Sequence, residues 1–420
     1  MACGSLRQMR RYAEKVFAQD ERLGRMTDGR RDPTLPLAAV LSTWQRGLMR
    51  RIPSTEQIGD LLRDRRWRAR LGLKPEAGGS ADRAAEVLDS TAIAEWNELL
   101  LQDFFLARRA GVLRDEGLYG KRCAVLDLNE LFKSEKIHCP QRQVREKTVQ
   151  DEQGEKHLIK EYYHQAVALV WVHGPTPFVL GWELLAPGEG ELTAALRLLE
   201  RLLPRLRKSV DLILGDALYC GRPFFQTVCG AGLEGLAISS GETEMDEEID
   251  LWRKTDPPRL VPGLDVAVWE MESEAWQAEL KRTLRVMHAE RRSAAPAWKQ
   301  ERQQLRVVTS VPIEILPAGQ GWRVGRSRWK IENGTFNRLT RDYSLTHNYH
   351  HSAAALVALL AMRSFACFLT QAYWRYATAR SSHPPRPIRA LVSTGAHGGL
   401  GPLPGSSLAP RPAVRLEPSP

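Results

Sequence analysis

The chain has 420 residues, with 60 Lys and Arg against 50 Asp and Glu, a net charge of +10 and a pI near 9.4. That length buries a sizeable core and suggests two or three domains. A hydrophobic content of 43% and a charged content of 26% are those of an ordinary globular protein, which excludes collagen-like and low-complexity classes for the chain as a whole. The positive surplus permits a polyanionic partner, and equally describes a generally basic soluble protein.

The six cysteines (Cys3, Cys123, Cys139, Cys220, Cys229 and Cys367) are scattered, with no CxxC pair. Neither a zinc ribbon nor a disulfide framework is expected, and a reducing, cytoplasmic setting fits. The N-terminal stretch Met1 to Arg7 has no apolar segment of the secretory kind. The longest apolar run, Ala353 to Met362, offers about ten residues where a bilayer span needs roughly twenty. We read it as a buried helix, with no membrane partner.

Residues 1–118 read as helical, with apolar residues at helical spacing over Leu37 to Leu48 and Ile58 to Leu71. Ser80 is placed to cap a helix starting at Ala81, and a longer helix is expected from Thr91 to Ala110. Leu61 to Arg70 contains Arg63, Arg65, Arg66, Arg68 and Arg70 around Trp67. Arg65, Arg66 and Arg68 suit phosphate contacts on DNA; the same run also reads as a solvated basic helix.

From Arg122 the periodicity changes. Cys123 to Leu126, Ala166 to Val172 and Phe178 to Leu184 read as short strands, followed by a helix over Glu189 to Arg207 that Pro204 bends or ends. A strand at Leu212 to Leu214, a helix at Arg222 to Cys229 and a strand at Gly235 to Ile238 complete a mixed α/β pattern over residues 119–240. Residues 241–304 are acidic and then Trp-rich (Trp252, Trp269, Trp276, Trp298), and read as an insertion with strands of its own. Those tryptophans are candidates for local core or for stacking on bases. The core resumes over residues 305–380, with a strand at Arg306 to Ser310, a helix from Gly325 to Arg341 and a final helix from Ser352 to Thr378. Residues 381–420, rich in Pro, Gly, Ser and Arg, read as a disordered tail.

Three acidic residues stand out. Asp127 follows the apolar run Cys123 to Leu126, Asp216 follows Leu212 to Gly215, and Glu332 lies in the helix-like Arg326-Ser327-Arg328-Trp329-Lys330-Ile331-Glu332-Asn333. Two carboxylates at strand ends and a third on a helix, meeting at one point, hold hard divalent cations, and a pair of such cations cuts phosphodiesters. Each also has a plainer reading. Asp127 and Asp216 serve as turn caps, and Arg328 with Glu332 forms a surface pair four residues apart. Gly215 and Ala217 flank Asp216 and leave room for a ligand. Asn333, a poor helix former, is a candidate contact residue.

The segments Asp127-Leu128-Asn129-Glu130-Leu131-Phe132 with Ser134, Leu214-Gly215-Asp216-Ala217-Leu218-Tyr219, and Arg328 to Asn333 with Phe336-Asn337-Arg338-Leu339 together resemble the DDE transposases of bacterial insertion sequences. The resemblance covers residues 120–375, and the helical N-terminal part more loosely. It is to the subgroup with a β-rich insertion between the second Asp and the Glu, and 116 residues separate Asp216 from Glu332. It implies a ribonuclease H-like mixed-sheet core with a helical, DNA-binding N-terminal domain and an insertion domain. It also implies metal-dependent strand cleavage and strand transfer at the ends of a mobile element. Asp127 would bridge two Mg²⁺ ions, replaceable by Mn²⁺, with Asp216 on one and Glu332 on the other. Arg328 would hold a phosphate, and the partners would be double-stranded DNA, terminal inverted repeats and a second copy in a homodimer on DNA.

Departures from the family pattern accompany the matches. Of the signature Tyr-x2-Arg-x3-Glu-x6-Lys, Arg328 and Glu332 are present, Gly325 stands at the Tyr position and Leu339 at the Lys position, beside Arg338. Arg338 is therefore the candidate basic contact after Glu332. Cys139 lacks the Cys partner seen in relatives, so no zinc is expected there. His164 in Tyr162-Tyr163-His164 is a candidate neighbour of the site or a structural hydrogen-bonding residue. Two other functions remain: a transposase-derived DNA-binding protein that no longer cuts, and a metal-dependent nuclease without strand transfer.

Overall fold

The computed structural model describes residues 6–74, 78–113, 118, 120–150, 154–172, 176–261, 265–291, 304–329 and 331–380, and for Leu6, Arg7, Ala318, Glu332 and Asn333 the backbone alone. Residues 381–420, expected as a tail, and Trp298 lie outside the described residues.

Seven helices come first: α1 (Leu6–Phe17), α2 (Gln19–Leu23), α3 (Leu37–Met49), α4 (Thr55–Arg63), α5 (Arg65–Arg70), α6 (Ala81–Ser90) and α7 (Ile93–Arg109). Side-chain caps set several of their starts. Ser54 accepts from the Gln57 amide and Ser80 from the Arg83 amide, each satisfying one amide the helix itself leaves open. The helix expected over Ile58 to Leu71 is two helices, because Asp64 turns the chain into an extended conformation and caps α5 through the Trp67 amide.

The strands are β1 (Cys123–Ser134), β2 (Gln143–Gln150), β3 (Lys156–Trp171), β4 (Phe178–Leu184), β5 (Leu212–Gly215), β6 (Glu234–Ile238), β7 (Arg259–Leu260), β8 (Val266–Ser273), β9 (Leu284–Arg291) and β10 (Gln304–Thr309). All ten join one mixed sheet, in the order β2-β3-β1-β5-β6-β10-β9-β8-β7 with β4 pairing β3. The pairs β1–β5 and β5–β6 are parallel and the other pairs antiparallel. The stretch 241–304 does carry strands, together with α10 (Glu244–Thr255) and α11 (Gln277–Leu280). Those strands extend the core sheet outward from β10 instead of forming a sheet of their own. Trp276 is buried against Phe225, and Trp269 donates to the Asp256 carbonyl beneath Arg253, so both pack locally. Trp252 is exposed.

Helices α8 (Glu191–Leu206) and α9 (Arg222–Gly230) cover the sheet. Pro204 lies inside α8 near its end. Beyond the sheet, the helix expected from Gly325 to Arg341 is three pieces: α12 (Ala318–Ser327), a π-helical turn (Ile331–Phe336) and α13 (Asn337–Tyr343). The wide turn coincides with Asn333 and Gly334, residues that support α-helix poorly. The last helix, α14 (Ala353–Thr378), has Ser352 as its cap, accepting from the Ala355 amide. It is long and apolar enough to cross a membrane, and its most apolar window is 89% buried within the protein. It packs on α1, α3, α6 and α7 as well as on β4, so it is core to the N-terminal helices and to the sheet at once.

Candidate active site

Asp127 lies within β1 and not at its end, because β3 continues to pair with β1 as far as Ser134, across a bulge between Glu130 and Lys133. What ends near Asp127 is the neighbour on the other side, β5. Val125 pairs with Leu214 in parallel register, and the next-but-one residues are Asp127 and Asp216. The two carboxylates therefore rise from adjacent positions where the sheet opens past Gly215. Asp127 is 7% exposed and its Oδ1 accepts from the Leu128 amide at 2.9 Å. Asp216 is half-buried and accepts from the Leu218 amide at 3.0 Å, starting a short 3₁₀ turn over Ala217–Tyr219.

That turn fills the space expected for a ligand beside Gly215. A Cβ on Gly215 would meet the Tyr219 Cβ at 2.6 Å and its ring at 2.9 Å, so Tyr219 packs directly on the glycine. Tyr219 is fully buried and its hydroxyl donates to Glu191 Oε1 at 2.6 Å. Burial, and then the charges of Glu191, Asp216 and Asp127, hold the phenol above its usual range. The Glu191 carboxyl is itself raised, by burial more than by Asp216, and against the Tyr219 hydrogen bond. Glu191, in the first turn of α8, is thus a further carboxylate beside the pair. Sequence reasoning passed over it, because in Gly188-Glu189-Gly190-Glu191 it reads as an ordinary acidic helix start.

The element carrying Glu332 lies over the same face of the sheet as Asp127. Asp127 pairs with Ala168, and Ala168 with Trp182, in one cross-strand row. The Phe336 ring stacks on Trp182 at 5.9 Å, and the π-helical turn packs against β1. The Arg328 Nη1 reaches within 3.6 Å of Asp127 Oδ2, with Arg328 only 9% exposed. The Glu332 and Asn333 side chains lie outside the described residues. Among the described residues no group of three or more His, Cys, Asp or Glu is arranged to hold a metal ion.

The other candidate residues divide. Arg65 and Arg66 on α5 are exposed. Arg68 is not: it is 6% exposed, and its guanidinium donates to the Leu62 and Lys74 carbonyls, tying the end of α5 to the chain on either side. It follows Trp67 on the buried side of a six-residue helix, so it is turned into the protein in place of the expected phosphate contact or solvated position. Arg338 is half-buried and donates to Gln371 on α14. His164 is buried; its Nδ1–H donates to the Tyr163 carbonyl at 2.9 Å and its Nε2 accepts from the Cys139 thiol at 3.0 Å. Burial, with the His351 charge, pushes the imidazole down to about 4, so it is a neutral structural residue near neutral pH.

A family model described as transposase DDE domain matches residues 133–369, more than half of the chain. The chain belongs to the DDE transposase family. The match begins six residues after Asp127 and takes in Asp216 and Glu332. The transposase thus has DNA as its substrate class. No curated protein matches the chain.

Proposed function

We propose that this transposase cuts DNA strands at the ends of a mobile element and joins them to a target, with Asp127, Asp216 and Glu332 as its metal-holding carboxylates. The observation that carries the reading is the adjacency of Asp127 and Asp216 on neighbouring parallel strands, under the helical segment that bears Arg328 and Glu332.

The donor set fits hard divalent cations such as Mg²⁺ or Mn²⁺. Carboxylate oxygens are the ligands these ions take, and a β-strand interior holds Asp127 rigidly. When bound, two such ions activate a water or a DNA 3′-hydroxyl and stabilise the leaving oxygen. The chain's own residues do the rest. Arg328, now against Asp127, turns to a phosphate oxygen when Asp127 takes up another partner. Tyr219 and Glu191 fix the turn that carries Asp216, so they act as positioning residues. Arg65 and Arg66 contact phosphates, and the helical domain recognises the terminal inverted repeats as a homodimer on DNA.

The experiment is cleavage of a DNA carrying the element's ends, with Mg²⁺ or Mn²⁺. Asp127→Asn, Asp216→Asn and Glu332→Gln should each abolish cleavage and leave DNA binding largely intact, because the carboxylates act on the transition state while the basic surface carries affinity. Full activity in any one variant removes that residue from the site. A wild-type protein that binds the ends but cuts with neither metal would be a DNA-binding derivative; cutting without regard to the ends would be a nuclease.

A further inference from the structure

The helical domain contains a cavity of about 500 Å³ between α1, α2, α3 and α5, away from the carboxylates. That volume falls within the range of small-molecule sites. Four arginines line it, Arg10, Arg46, Arg50 and Arg70, against two acids, Glu14 and Asp20. Asp20 is engaged by Arg10, by Arg46 and by the Ser42 hydroxyl. Burial, and then the Asp20 charge, raises the Glu14 carboxyl. Arg50 is half-buried, with the Arg70 charge beside it and the Asp64 carboxylate acting the other way, so burial and Arg70 together outweigh Asp64.

The cavity also has unanswered hydrogen-bonding groups. Gln19 Oε1, Gln45 Oε1 and Arg46 Nη1 are buried and make no hydrogen bond. Both glutamines are 3% exposed. The orientation of Gln45 is set, because its Nε2 donates to the Met362 carbonyl at 3.0 Å and leaves the oxygen facing away. Arg46 lies over the Trp67 ring at 4.7 Å, which fixes its guanidinium plane. A buried polar group costs free energy unless something answers it, and these three lie together on one cavity wall.

An apolar ligand answers none of these groups. A bare anion answers the arginines and leaves both glutamine oxygens without donors. A molecule with a phosphate at one end and, at the other, N–H donors beside an acceptor answers all of them. We propose that this cavity binds a single nucleotide, its phosphate on Arg50 and Arg70 and its base edge on Gln19, Gln45 and Arg46. The same chemistry comes from a free deoxynucleoside monophosphate or from an unpaired nucleotide of a DNA strand turned out of its stack.

The test is binding by the full chain, measured by calorimetry without any cleavage, so it stands or falls apart from the catalytic reading. One arm titrates each of the four deoxynucleoside monophosphates, with inorganic phosphate as the control. The other compares a duplex containing one unpaired nucleotide with the same duplex fully paired. Saturable binding is expected in at least one arm, and the arm identifies the source. Arg50→Ala combined with Arg70→Ala should weaken it by about tenfold or more, with an unchanged melting temperature. Gln19→Leu should alter the ranking of the four bases. The proposal is overturned by no saturable binding in either arm, by binding that the paired arginine substitutions leave intact, or by phosphate binding as tightly as every nucleotide.

Discussion

Arg328 stands 3.6 Å from Asp127, an ion pair in which each side chain is only 10% exposed. The pair joins the middle of β1 to the segment that carries Glu332, so two of the three candidate carboxylate elements are tied together by a cation the chain itself provides. Removing one member takes an ionic partner from a charge that stays buried. Arg328→Ala and Asp127→Asn should therefore be non-additive in metal-free stability, with a coupling of about 0.5–3 kcal/mol. Denaturant unfolding of both single variants and the double variant measures it; strict additivity would mean that the pair is not formed in solution.

Gly215 carries a second prediction. Its missing side chain is the space in which Tyr219 sits. Gly215→Ala should cost about 1–3 kcal/mol through overpacking and move the turn that aims Asp216, so cleavage should fall more than stability does. Tyr219→Phe keeps the ring and removes only the hydrogen bond to Glu191. It should retain the fold and lower cleavage, by less than Asp216→Asn does, because the turn that carries Asp216 loosens. Wild-type rates in Tyr219→Phe and in Glu191→Gln would show that neither positions Asp216.

His164 makes stability depend on pH. Its folded value of about 4 lies below the 6.5 of an unperturbed imidazole. Between those values the unfolded chain takes up a proton that the folded one refuses. The contribution is thus intact above 6.5 and is lost as pH falls toward 4, by up to about 3 kcal/mol. His164→Gln, which stays neutral, should flatten the fall in melting temperature between pH 7 and pH 5. An unchanged slope would place the effect elsewhere.

The arginines of α5 should separate by role. Arg65→Ala with Arg66→Ala should weaken binding to specific and random DNA by similar factors and lower its salt dependence, with little effect on stability. Arg68→Ala should do the reverse, since its bonds go to the Leu62 and Lys74 carbonyls. Filter binding over a salt series together with thermal melting distinguishes them.

The reading of the sequence was sound where apolar periodicity carried the signal. The buried strand segments that lead up to Asp127 and Asp216, the N-cap at Ser80 and the long last helix all follow from local pattern, whereas the continuation of β1 past Asp127 does not. β2 and the outer half of β3 escaped because their residues are mostly exposed and polar, so no alternation of apolar residues marks them. The break before Glu332 escaped for another reason: one six-residue π-helical turn is too short to show against the apolar pattern of the whole segment. Glu191 and the inward turn of Arg68 were hidden because each depends on partners far along the chain or on a break at Asp64. Spacing placed the two aspartates on separate strands; only register put them side by side.

The attachment of the insertion has a consequence for cutting this chain apart. β9 pairs with β10 along the whole length of β10, from Gln304–Glu290 to Thr309–Arg285, and β10 in turn pairs with β6, next to β5 and Asp216. Excising 241–304 would not restore a smaller, self-sufficient core. It would strip β10 of one partner and leave a row of unanswered amides and carbonyls a short distance from the strands that carry Asp127 and Asp216, an open edge ready to pair with the next molecule. A shortened version of this protein is therefore expected to be a self-associating one, and any minimal form will need a substitute strand or a charged guard along Gln304–Thr309 before it stays in solution.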